Sequence, residues 1–111
     1  MSHYGGKELA SSFKTVRNNT ITIAEDIPED RYDFRPAPDT RSVRELLVHI
    51  AFIPRLQQQM QQERVTDLAK VNFPKMVQAL QADEAPPRNK AEILALLITE
   101  RDAYASYLDT L

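Results

Sequence analysis

Residues 41–60 constrain the fold most strongly, because their apolar side chains recur at the spacing of an α-helix. Ser42 and Glu45 have the spacing of a capping box, in which each side chain accepts a hydrogen bond from the other residue's backbone N–H. The apolar face that follows consists of Val43, Leu46, Leu47, Ile50 and Ile53. The pattern predicts a helix that begins at Ser42 and continues to about residue 64.

Pro54 lies inside this predicted helix. Proline has no backbone N–H and its ring crowds the carbonyl one turn earlier, so we expect a kink near Ile50. His49 precedes that point, on the flank of the apolar face. Its imidazole is either a hydrogen-bonded core group or a ligand, and the spacing leaves both open. Val48 and Phe52 lie towards the polar side, which predicts that the back of this helix is also covered.

Two further long segments show helical periodicity. The first helix is predicted over residues 7–26, where Pro28 ends it and the apolar stripe consists of Leu9, Phe13, Val16, Ile23, Ala24 and Ile27. The third long helix begins at Asn89, which has capping spacing with Glu92. Its stripe consists of Ile93, Leu96, Leu97, Tyr104, Tyr107, Leu108 and Leu111. A short crossover helix, capped by Asn72, is predicted within residues 65–87. Together these segments predict an all-α helical bundle.

Residues 28–40 form an irregular connector between the first two helices, since three prolines interrupt any helical pattern. Tyr32 and Phe34 are large side chains within it, and we expect both to fold back and close one end of the core. Arg35 could bind an anion, but pairing with a neighbouring carboxylate is the more common arrangement for such a residue.

Two polar residues interrupt the apolar stripes and are candidates for a functional pocket. Thr20 either donates to the carbonyl one turn earlier or lines a polar pocket. Glu100 either pairs with an arginine or water, or faces His49 from the neighbouring helix, because a buried carboxylate is costly without a partner. His3 lies in a short N-terminal lead-in, where we expect an exposed side chain.

Composition excludes several classes of function. The chain has 111 residues, which predicts one domain over residues 1–111. A net charge of −2 and an acidic isoelectric point give no electrostatic basis for binding nucleic acid. The sequence contains no cysteine, so disulfides and thiolate ligands are excluded. No apolar run reaches the roughly 18 residues of a membrane span, and no signal peptide is recognisable. We therefore expect a cytoplasmic protein.

The C-terminal end of the sequence is predicted to leave the bundle incomplete. The apolar stripe of the third long helix continues to Leu111, without the glycine or proline that commonly ends a helix. An apolar face of this extent favours association. We expect either that a last helix is missing from this sequence or that another chain, most simply a second copy, completes the core.

A short motif resembles the DinB/YfiT-like proteins. It comprises Tyr32-x-Phe34-Arg35-Pro36 followed by Ser42-Val43-x-Glu45-Leu46-x-x-His49-Ile50, and the similarity extends over the first three long helices. The resemblance implies an up-down-down-up four-helix bundle that is often dimeric. It also implies a divalent metal, of the zinc or nickel type, held by three histidines. The first of them matches His49, and the other two form a His-x-x-x-His pair on the last helix.

The sequence departs from that pattern, because it contains no His-x-x-x-His pair and His3 matches neither member. A lone imidazole binds a divalent ion weakly, since protein sites use three or four donors. We expect that this chain alone holds no metal tightly. The intact protein is expected to be a metal-dependent transferase, isomerase or hydrolase, with His49 as a ligand and Glu100 and Thr20 as pocket groups around an unknown small substrate. The alternative is a non-catalytic bundle that acts through dimerisation or partner binding, with His49 as a core residue.

Overall fold

The computed structural model of this chain describes residues 5–62 and 73–111. Within these ranges every regular element is helical: α1 (Gly6–Asp26), a single 3₁₀ turn (Glu29–Arg31), α2 (Val43–Gln62), α3 (Phe73–Glu84) and α4 (Lys90–Asp109). The predicted all-α class and the positions of the four helices are confirmed. The proposed cap Asn72 lies outside the described residues, and the additional last helix stays a prediction.

Helix α4 lies at the centre of the helical bundle. It packs along α1 on one side and along α2 on the other, while α3 packs against α2. The main core lies where these elements meet and consists of Ile21, Ala24, Tyr32, Leu47, Val48, Ala51, Phe52, Ile93 and Leu97. A smaller cluster joins the start of α1 to the end of α4 through Ala10, Tyr104, Ala105 and Leu108. The burial of Val48 and Phe52 confirms that both sides of α2 are covered.

Both predicted capping boxes are present. At the start of α2, the Ser42 N–H donates to Glu45 Oε1 over 2.9 Å and the Glu45 N–H donates to Ser42 Oγ over 3.1 Å. Asn89 and Glu92 make the same reciprocal pair at α4. The backbone hydrogen bond from Ser42 is the main cause of a lowered pKa at Glu45. Local side-chain chemistry therefore fixes where α2 and α4 begin.

The buried face of α1 differs from the predicted stripe. The residues that α1 buries are Gly6, Ala10, Arg17, Ile21 and Ala24, whereas Val16 and Ile23 are 65% and 59% exposed. Small residues explain the rotation, because Gly6 and Ala10 let α1 approach the backbone of α4. A Cβ at Gly6 would overlap the carbonyl oxygen of Leu108. The close approach of the α1 and α4 backbones therefore determines which face of α1 is buried, and the positions of the largest apolar side chains do not.

The connector between α1 and α2 closes the core through one aromatic residue, where the sequence predicted two. Tyr32 is fully buried, and its hydroxyl donates to the Ala24 carbonyl over 2.6 Å. Burial raises the pKa of this hydroxyl. Phe34 is 57% exposed, so its predicted place in the core is wrong. Tyr32 has helical backbone angles at the end of the 3₁₀ turn, so the chain changes direction before Phe34 and the two side chains do not share a face.

None of the helices in the described ranges combines the length and apolarity that crossing a bilayer requires.

Candidate functional site

His49 is half-buried on α2 and faces the end of α3. Its Nδ1 lies 2.6 Å from Oε1 of Glu84, and the two side chains are 24% and 17% exposed. Glu100, one of the alternatives for a group facing His49, lies on α4 and does not make this contact. The short helix α3 covers the flank of α2 that carries His49, so Glu84 makes it instead. Helical periodicity in α2 alone could not place α3 there.

The contact with Glu84 identifies which ring nitrogen of His49 donates a hydrogen bond. A carboxylate only accepts hydrogen bonds, so Nδ1 carries the proton that is shared with Glu84. In a neutral imidazole the other nitrogen, Nε2, then keeps a free lone pair. Histidines that ligate metals commonly donate their second ring N–H to a carboxylate in this way, which fixes the orientation of the ring. His49 and Glu84 thus have the arrangement of a ligand and its supporting carboxylate.

The described residues contain no group of three or more histidine, cysteine, aspartate or glutamate side chains that could hold a metal ion. His3 lies outside these residues. Within residues 5–62 and 73–111 His49 is the one histidine, whereas protein metal sites use three or four donors.

Glu100 is buried on α4 and forms a bidentate ion pair with Arg55 of α2. Nε of Arg55 donates to Oε1, and Nη2 donates to Oε2 over 3.2 Å. Arg55 also reaches Asp83 at the end of α3 over 3.3 Å. The hydrogen bond to Glu100 is the main cause of a raised pKa at Arg55. Of the two alternatives for Glu100, arginine pairing is the one present, and the network joins α2, α3 and α4.

Two other candidates make local contacts. The Thr20 hydroxyl donates to the Val16 carbonyl one turn earlier, over 3.4 Å. Arg35 pairs with Glu45 over 2.6 Å, which is the carboxylate alternative predicted for it. Among the described residues, no polar contact of Thr20 reaches His49 or Glu100. The three predicted site residues are therefore not joined by direct polar contacts.

Arg17 is a buried polar residue that the sequence did not single out. Only 3% of it is exposed, and burial lowers its pKa. Its Nη1 donates to the Leu97 carbonyl over 3.0 Å, and its Nη2 donates to the Ile50 carbonyl over 3.1 Å. Pro54 has no N–H to donate to the Ile50 carbonyl, so this carbonyl lacks its usual partner within the helix. The sequence contained that signal, because an interior proline leaves an acceptor that needs another partner.

Comparison with known proteins identifies the family of this chain. A model of the DinB superfamily matches residues 12–111, which cover almost all of the three long helices and the crossover. Neither the curated proteins nor the solved structures contain a match. The match agrees with the all-helical architecture. The chain belongs to the DinB superfamily.

Proposed function

We propose that this domain contributes His49 as one ligand of a divalent metal centre in a metal-dependent enzyme of the transferase, isomerase or hydrolase type. The observation that carries the proposal is the 2.6 Å contact between His49 Nδ1 and Glu84 Oε1. This contact orients the imidazole and leaves Nε2 to donate its lone pair. Metal ions of this type act by lowering the pKa of a bound water or thiol.

The remaining ligands have to come from outside the described residues. One imidazole binds a divalent ion weakly, and no second histidine lies within residues 5–62 or 73–111. A last helix with a His-x-x-x-His pair, encoded in the same gene, would supply two more nitrogen donors. Within this chain, the chemical role of Glu84 is to accept a hydrogen bond from Nδ1 and hold the ring in one orientation.

Metal affinity of the full-length gene product tests the proposal. We expect stoichiometric binding of Zn²⁺ or Ni²⁺ to the natural sequence, measured by calorimetric titration after removal of metal. Glu84→Ala is expected to weaken binding by about 10–100-fold, because the supporting carboxylate is lost. His49→Ala removes a ligand and is expected to weaken binding further. Glu25→Ala is the matched control, since it removes an exposed carboxylate on α1 and should leave the affinity unchanged.

Two outcomes would contradict the assignment. If His49→Ala binds as much metal as the natural sequence, His49 is not a ligand. If the gene encodes no further histidine pair, the ligand set is incomplete and the metal-enzyme proposal fails. Circular dichroism of each variant separates loss of a ligand from loss of the fold.

The second candidate is a non-catalytic bundle that acts by associating, most simply with a second copy. It is supported by apolar side chains that the described helices leave uncovered. Val16 and Ile23 lie one above the other on α1 at 65% and 59% exposure, and Leu46 on α2 is 47% exposed. Under this proposal the His49–Glu84 contact only holds α2 and α3 together. Equal metal content in the natural sequence and His49→Ala is the result that favours it.

A further inference from the structure

A pocket of about 250 Å³ lies between the start of α2 and the end of α3. Three guanidinium groups border it, those of Arg41, Arg44 and Arg88. Two carboxylates, Glu45 and Glu84, border it as well. Whether the pocket suits an anion or a cation therefore depends on which of these charges already have partners.

Both carboxylates are already paired. Glu45 accepts from the Ser42 N–H and forms an ion pair with Arg35 over 2.6 Å. Glu84 accepts from His49. A ligand in the pocket would therefore meet two carboxylates whose hydrogen-bonding capacity is partly used, of which Glu45 has a cationic partner in Arg35.

The arginines are less fully balanced. Arg44 forms an ion pair with Asp33 over 3.1 Å and donates to the Arg88 carbonyl. Arg88 donates to two backbone carbonyls, those of Pro86 and Asp83, and its guanidinium carbon lies 5.3 Å from the centre of the Phe52 ring. Within the described residues, neither Arg41 nor Arg88 has a carboxylate partner. The pocket thus carries two guanidinium groups without an ion-pair partner among the described residues, against the one carboxylate of Glu84.

The wall between these groups is apolar, and Val48, Ala85, Pro86 and Pro87 contribute to it. The two prolines restrict the backbone where the chain leaves α3, so this wall is preformed. The volume of the pocket, about 250 Å³, is below the range of about 300–1,000 Å³ that is usual for the pockets of drug-sized ligands. The space suits a compact molecule with one charged end and one apolar end.

We propose that this pocket binds a small organic anion through Arg41 and Arg88. A carboxylate or phosphate group of the ligand accepts hydrogen bonds from the two guanidinium groups, which match the geometry of such anions. The apolar part of the ligand lies against Val48, Pro86 and Pro87. The proposal goes beyond the metal centre and does not depend on it, since Arg41 and Arg88 are not metal ligands.

Titration of metal-free protein with phenyl phosphate and with butyrate tests the proposal. The measurement is NMR of the backbone amides of Glu84, Ala85 and Arg88 and of arginine Nε–H groups, at low ionic strength. We expect saturable shifts at the pocket with at least one of the two anions. Arg41→Gln is expected to weaken that binding at least about tenfold, because a charge-assisted hydrogen bond is lost. Arg31→Gln, at an exposed arginine outside the pocket, is the matched control and should bind normally.

The outcomes separate the two ligand types and the two proposals. Saturation by phenyl phosphate alone assigns a phosphate group, and saturation by butyrate alone assigns a carboxylate. Absence of saturation with both anions, or equal affinity of Arg41→Gln and the natural sequence, overturns the proposal. The anion titration uses metal-free protein and does not depend on metal binding, so a failed metal site and a failed anion site are distinguishable.

Discussion

Replacing Arg17 by methionine is expected to lower the free energy of unfolding by about 2–4 kcal/mol. Methionine keeps most of the length and apolar surface of the side chain, but it donates no hydrogen bond. The Ile50 and Leu97 carbonyls then lose the donors that Arg17 supplies at 3.1 and 3.0 Å. The measurement is urea denaturation followed by circular dichroism.

A double-mutant cycle with Pro54 tests the mechanism of this loss. Pro54→Ala restores a backbone N–H that can donate to the Ile50 carbonyl within α2. The cost of Arg17→Met is therefore expected to be about 1 kcal/mol smaller in the Pro54→Ala background. Equal costs in both backgrounds would show that the carbonyl freed by Pro54 does not depend on Arg17.

Lys14→Met is the matched control for Arg17→Met. Lys14 is an exposed cation on the same helix, so its replacement should change the free energy of unfolding by no more than about 0.5 kcal/mol. A similar decrease in the free energy of unfolding in both variants would mean that the loss of a positive charge on α1, and not the loss of the buried Arg17 contacts, causes the destabilisation.

Tyr32→Ala is expected to cost about 3–5 kcal/mol, the range for truncating a fully buried aromatic side chain. Tyr32 links the connector to three helices, α1, α2 and α4. Its hydroxyl donates to Ala24 in α1, and its carbonyl accepts from the Arg44 N–H at the start of α2 over 2.7 Å. The charged groups of Arg44 and of Lys90, the first residue of α4, lie 5.7 and 5.9 Å from the centre of its ring. The measurement is again the free energy of unfolding in urea.

Phe34→Ala provides the control for Tyr32→Ala within the same connector. The two aromatic residues are separated by one position, but Phe34 is mostly exposed and its truncation should cost no more than about 0.5 kcal/mol. Comparable losses at both positions would contradict the assignment of Tyr32 as the residue that closes the core.

Local signals in the sequence were sufficient to place the helices. The capping boxes at Ser42 and Asn89 predicted where α2 and α4 begin, and Pro28 predicted where α1 ends. These signals act within one or two turns of a helix, so they do not depend on tertiary packing. The burial of Tyr32 was predicted as well, but the same argument placed Phe34 in the core and was wrong there.

Features that depend on how the helices meet were not predictable in the same way. The contact face of α1 is set by the small residues Gly6 and Ala10, and helical periodicity gives more weight to Val16 and Ile23. The partner of His49 is on α3, whose position on α2 no local pattern specifies. Arg17 required a combination of two distant signals, a charged residue within α1 and an acceptor freed by Pro54.

In the candidate site, too, the sequence indicated some residues and missed those whose position depends on how the helices meet. The resemblance to DinB-like proteins singled out His49, and the family match supports that resemblance. Glu84 was missed because it lies at the end of a short helix whose packing position on α2 no local pattern specifies. The pocket lined by Arg41, Arg44 and Arg88 was missed for a similar reason, since the end of α3 and the start of α2 are far apart in sequence.

The proton on the His49 ring is the most direct test of its proposed role as a ligand. Long-range ¹H–¹⁵N NMR of the imidazole at mildly alkaline pH reports which ring nitrogen is protonated. If Glu84 holds the ring for metal binding, Nδ1 is protonated, Nε2 is unprotonated, and Glu84→Ala reduces this preference. A protonated Nε2 with a free Nδ1 would contradict the role of His49 as a ligand through Nε2.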